Sequence, residues 1–148
     1  MLILISVLVS AGSVAVMWAY MCRVSALRNG WNELAARYGR EGSFDGVRFG
    51  AQSAVLNGFA FTGTLILGVG PSGFYLRGGL LLHLFHPPIL VPWSDITVER
   101  LERTYSSGYA LRFAAFPDMS CELSDATLER LAGAARPEWN VALPWSPA

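Results

Sequence analysis

The sequence predicts a mainly β domain, a sandwich or barrel, carried behind an N-terminal transmembrane helix and ending in an α-helix. Three observations lead there. The first 22 residues hold no acidic or basic side chain. From Val47 onward, short apolar runs alternate with turn-forming residues at the roughly 8–12-residue spacing of antiparallel strands. An amphipathic stretch that Ser124 or Asp125 can cap follows the last run and stops before Pro137.

Composition sets the outer bounds. The chain has 148 residues, enough for one domain, with 11 acids balancing 11 bases. Apolar residues make up 53% and charged ones 15%, which excludes a disordered chain. Zero net charge argues against a nucleic-acid partner. Every base is arginine, so chemistry that needs lysine is excluded. Cys22 and Cys121 form neither a disulfide framework nor a metal-ligand pattern.

Residues 1–22, MLILISVLVSAGSVAVMWAYMC, are predicted to be a transmembrane helix. About 20 apolar residues at about 1.5 Å rise cross a bilayer core of about 30 Å. Trp18 and Tyr20 fall at the far end, where amphipathic rings favour the headgroup level. A cleaved signal peptide would carry a basic leader and a shorter apolar core. Ala19-Tyr20-Met21-Cys22 also lacks the small residues expected before a lipoprotein cysteine. Arg23, Arg28, Arg37 and Arg40 follow the span and none precedes it. The positive-inside rule therefore predicts an outside N-terminus and a cytoplasmic C-terminal domain. Ala11, Ala15 and Ala19 recur on one helix face, where small residues let a neighbouring helix approach closely.

Residues 23–40 read as a juxtamembrane amphipathic helix with Trp31, Leu34, Ala35 and Tyr38 on one stripe, stopping at Gly39. The stripe is expected to pack on the domain core. Trp31 is also counted with Trp18 and Tyr20 among the membrane or partner contacts.

Residues 46–136 form the β domain. Its runs are VRFGAQSAVL, FAFTGTLILGV, FYLRG, LLLHLF, ILVPW, TVERLERTY, YALRFAAF and MSCEL. Asn57-Gly58, Pro71-Ser72-Gly73, Gly78-Gly79, Pro87-Pro88 and Pro117-Asp118 break them, and Ser106-Ser107-Gly108 signals a hairpin. Phe49 to Leu76 lacks charge and is long enough to span, but its glycines and Pro71 suit strands better than a helix. In the final helix Leu128, Leu131 and Ala132 form the apolar face. Residues 137–148 are a tail carrying Trp139 and Trp145, residues favoured in contact patches and membrane-interface belts.

The stretch from Gly68 to Ile96 supports a closer comparison. It contains Gly73-Phe74-Tyr75-Leu76, His86-Pro87-Pro88 and Val91-Pro92-Trp93-Ser94-Asp95-Ile96, and Trp31…Leu34-Ala35…Tyr38 lies upstream. In these motifs the chain resembles small bacterial membrane-anchored proteins with a pleckstrin-homology-like domain, over roughly Trp31 to Arg136. The resemblance implies a strongly bent sheet of about seven strands closed at one end by the C-terminal helix. It implies a fold and no activity. Phosphoinositide-binding members of the wider superfamily use a basic cluster in the first hairpin loop; here that loop is Asn57-Gly58, without a base.

Few residues suggest chemistry. Gly68-Val69-Gly70-Pro71-Ser72-Gly73 fits a dinucleotide fingerprint, but that motif needs a helix directly after it and a strand-like run follows. His83 and His86, three apart on a presumed strand, would face opposite ways, so no metal is expected. His86 before Pro87-Pro88 is expected to fix a turn, and Asp95 after Pro92-Trp93-Ser94 to cap one. Interleaved Glu99, Arg100, Glu102 and Arg103 read as a solvated strand. No nucleophile elbow occurs, and no cofactor is expected. The expected function is non-catalytic: a single-pass interaction protein, an accessory or scaffold subunit of a larger membrane assembly such as a respiratory or photosynthetic complex. Its partners would be the lipid bilayer and other membrane subunits. The alternative is a membrane-surface sensor of a lipid headgroup or small ligand, with Arg48, Arg77 and Arg112 converging on it.

Overall fold

A computed structural model describes residues 1–40, 42–80, 82–102, 107–136 and 144. Helix α1 spans Leu2–Arg28. It is one helix long and apolar enough to cross a membrane, and its most apolar window is wholly unburied. At about 1.5 Å per residue its length is about 40 Å. Only its last turns enter the domain core, through Cys22 and Ala26.

The element expected over 23–40 is divided. α1 runs through to Arg28, Asn29 and Gly30 turn the chain, and α2 covers only Trp31–Tyr38. Gly30 takes φ +78°, a left-handed conformation that side chains disfavour. Buried Asn29 accepts from the Trp31 backbone N–H at 3.0 Å and donates to Ser25 Oγ at 3.3 Å. The corner is therefore tied by hydrogen bonds on both sides.

Seven antiparallel strands follow: β1 Val47–Leu56, β2 Phe59–Gly70, β3 Gly73–Gly78, β4 Ile89–Val91, β5 Ile96–Glu102, β6 Ser107–Phe113 and β7 Phe116–Ser124. They make one sheet in the order β4-β3-β2-β1-β7-β6-β5. The mainly β architecture with an N-terminal apolar helix and a C-terminal helix is as the sequence predicts. Leu65, Leu67 and Val69 of β2, Phe74 and Leu76 of β3, and Leu111 and Phe113 of β6 point inward into one core. Helix α3, Asp125–Ala134, is capped by Ser124, whose side chain accepts from the Thr127 N–H at 3.2 Å, and buries Leu128 and Leu131.

One run departs from its expected form. LLLHLF is no strand: its described residues form turns, with Leu82 and His83 N–H donating to the Gly79 carbonyl and Phe85 and His86 N–H to the Leu82 carbonyl. The run has no β-branched residue, and Gly78-Gly79 and Pro87-Pro88 fence it on both sides, so sheet pairing cannot extend into it. Ser107 and Gly108, read as part of a turn, already belong to β6 opposite Glu102 and Leu101.

Candidate functional site

The end of the domain next to α1 is built where α1, α2 and the loop over residues 79–88 meet. α2 lies along that loop and β4. Trp31 Nε1 donates to the Pro87 carbonyl at 3.0 Å, the Arg40 N–H donates to the Pro88 carbonyl at 3.1 Å, and Gly39 bridges to Ile89. Leu34 and Tyr38 are buried on the same face. At the far end the Tyr38 hydroxyl donates to Asp95 Oδ2 at 3.0 Å and accepts from the Ala115 N–H at 3.2 Å. Burial, reinforced by Asp95, raises the Tyr38 pKa, and the Ala115 bond partly offsets this.

Trp31 therefore belongs to the core, with 0% exposure, and is not the membrane or partner contact the sequence suggested. Exposure cannot be inferred from an amphipathic stripe when the helix docks through it.

His86 is the centre of this junction. Its ring is fully buried, edge-on to Trp31 at 4.8 Å and to Phe61 at 5.6 Å. Its Nδ1 lies 3.2 Å from the Leu82 carbonyl, so the Nδ1–H tautomer donates there. Nε2 finds no hydrogen-bond partner among the described residues. Burial lowers the pKa, so the ring is held neutral. His83 is exposed and bonds the Leu80 carbonyl through Nδ1 at 2.6 Å. The two histidines do not converge, and no group of three metal-ligating residues occurs among the described residues.

The other motif residues are also structural. Pro92 precedes a short 3-10 turn over Trp93–Asp95, and Trp93 Nε1 donates to the Gly70 carbonyl at 2.8 Å. The Gly68–Gly73 run is the end of β2, a turn and the start of β3, with Gly70 opposite Gly73. Its glycines make a seat that the sequence did not disclose. A Cβ on Gly68 or Gly70 would stand within about 3 Å of the Phe44 ring, which stacks on Tyr75 at 4.5 Å between centroids.

Strand register puts Arg48 and Arg77 on one face of the sheet and Arg112 far from both. Arg48 pairs with Gly68 near the start of β1, and Arg77 with Ile66 on β3. Arg112 sits on β6 opposite Ser120, whose carbonyl bonds Asn57 just beyond the other end of β1. Arg112 Nε is held by Glu99 at 2.9 Å. Arg112 therefore does not converge with Arg48 and Arg77, because it lies toward the opposite end of β1 from Arg48.

A polar cleft of about 540 Å³ lies between β5, β6 and α3, with Pro144 on its wall. Its charged groups answer one another: Arg100 Nη1 donates to the Tyr109 hydroxyl at 2.7 Å and lies 3.8 Å from Asp125 Oδ1, while Ser107 bonds Asp125 Oδ2. Cys121 is buried, which pushes its thiol pKa up to about 12 and leaves it inert as a nucleophile.

Along α1, Ala11, Ala15 and Trp18 share a face that continues as Cys22 and Ala26 against the domain. Ala11 and Ala15 are exposed and Ala19 is half-covered. Tyr20 is exposed, and Trp18 packs edge-on against Phe85 at 6.4 Å. Trp139 and Trp145 lie outside the described residues.

No protein-family model, no curated protein and no solved structure matches the chain.

Proposed function

We propose that the chain is a non-catalytic single-pass membrane interaction protein, an accessory or scaffold subunit of a larger membrane assembly such as a respiratory or photosynthetic complex. The observation that carries this reading is the single helix α1. Its first 21 residues are uncharged and largely uncovered, while its last turns are part of the domain core. A span joined so firmly to a domain fixes the position of that domain against whatever the span binds. Small residues at Ala11 and Ala15 offer a neighbouring helix close backbone approach, which is how membrane helices gain packing energy.

The arginines that follow the apolar stretch, Arg23, Arg28, Arg37 and Arg40, favour a cytoplasmic domain at a bacterial inner membrane. The pleckstrin-homology-like reading is supported by seven antiparallel strands in one sheet with a C-terminal helix packed against β1, β2, β6 and β7. The headgroup-sensor alternative is less well supported, because Arg112 stands away from the face that Arg48 and Arg77 share.

Purification of the full chain in gentle detergent, with identification of what accompanies it, tests the proposal. A membrane protein in fixed ratio is expected, and Trp139→Ala or Trp145→Ala should weaken its recovery. A clean monomer would contradict the subunit reading.

A further inference from the structure

The turn-forming loop after β3 has an unusual surface. Leu80 is 83% and Leu84 71% exposed, while Leu82 packs on the core. Between Arg77 and Asp95 the only ionisable side chains are His83 and His86. The apolar surface extends into a groove of about 440 Å³ lined by Gly63, Thr64, Ile66, Gly79, Leu80 and Leu82. Exposed leucines beside an apolar groove mark a contact.

The Trp18–Phe85 packing supplies the level at which that contact lies. Trp18 precedes Arg23, the first charged side chain after the apolar stretch, by five residues. At about 1.5 Å per residue, Trp18 is about 7.5 Å closer to the bilayer centre than Arg23. A helix from Leu2 to Met21 spans about 30 Å, which places Trp18 at the inner boundary of the hydrocarbon. Phe85 touches Trp18, so the loop stands at that same boundary, beside the helix.

We propose that the Leu80–Phe85 loop is a second membrane contact, which seats Leu80 and Leu84 among the acyl chains of the leaflet that α1 leaves. The occupant is lipid, because the Trp18–Phe85 packing sets the loop at the hydrocarbon boundary and no acidic residue or arginine lies between Arg77 and Asp95. The inference rests on reading α1 as a span. Two contacts, the helix and the loop, would fix the tilt of the domain on the bilayer, where a helix alone would leave it free to rotate.

The test uses the full chain with an environment-sensitive fluorophore on one introduced cysteine, native Cys22 and Cys121 being buried. The sites are Leu84→Cys, Leu80→Cys, Leu8→Cys in the span, and Ser72→Cys in the exposed turn at the far end of β3. Each is reconstituted into phosphatidylcholine–phosphatidylglycerol vesicles bearing a lipid quencher near the head or near the end of the acyl chain. Near-ultraviolet circular dichroism matching the unaltered chain verifies folding. The expected result is quenching at Leu84 and Leu80 by the shallow quencher, several times that at Ser72, with Leu8 quenched by the deep one. Leu84 and Leu80 as unquenched as Ser72, with Leu8 quenched, would overturn the loop proposal and leave the span reading standing; the loop would then face water or a protein partner. Leu8 unquenched would remove the span reading and the loop proposal with it.

Discussion

The Trp31 indole N–H donates to the Pro87 carbonyl at 3.0 Å across 56 residues of sequence. The same ring meets His86 edge-on, while Phe85, one residue earlier, packs on Trp18. Trp18, Phe85, His86, Trp31, Asn29 and α1 therefore form a closed circuit. Helix α1 cannot swing against the sheet without breaking at least one of these contacts.

Trp31 should then be a stability hot spot for the whole chain. Trp31→Phe keeps a ring but loses the bond to Pro87, at a cost of about 1–2 kcal/mol. Trp31→Ala empties a core position and costs about 3–5 kcal/mol. Denaturant unfolding of the detergent-solubilised full chain, followed by near-ultraviolet circular dichroism, measures both. A Trp31→Ala chain as stable as the parent would contradict this placement.

His86 predicts acid sensitivity. Burial lowers its pKa below the ordinary 6.5, so as pH falls the unfolded chain takes up this proton before the folded one. Its contribution is intact above pH 6.5 and declines below it, until the folded ring also titrates. The slope for one proton is at most about 1.4 kcal/mol per pH unit. His86→Leu should flatten the pH dependence of the unfolding midpoint between about pH 7 and 5, the range in which histidine titrates. An unchanged slope would show that other groups set it.

Orientation is testable by fusion. A reporter active only in the cytoplasm, joined after Ala148, should be active. Replacing Arg23, Arg28, Arg37 and Arg40 with Gln while adding arginines before Leu2 should lower that signal, because flanking bases set topology. A reporter found on the periplasmic side of the unaltered chain would reverse the assignment.

Much of the fold is legible because turn residues and apolar runs are local signals. Val47–Leu56 is found as written, and Ser124 caps α3. Residues 80–85 are not legible in this way, because a short leucine-rich run has no period that separates strand from turn. The break at Asn29-Gly30 carried a usable signal, since this dipeptide favours turns, but the stripe from Trp31 to Tyr38 masked it. The site was less legible. Whether Arg48, Arg77 and Arg112 meet depends on register across several strands. The seat for Phe44 over Gly68 and Gly70 depends on tertiary approach, which no spacing encodes.

The proposed function has the small-residue face of α1 meet another protein inside the membrane. A photo-crosslinking side chain placed at Ala15 in living cells tests it most directly, with Met17, about 200° around the helix, as the control. A discrete protein adduct from Ala15 and little from Met17 is expected. Lipid adducts alone from both positions would contradict it.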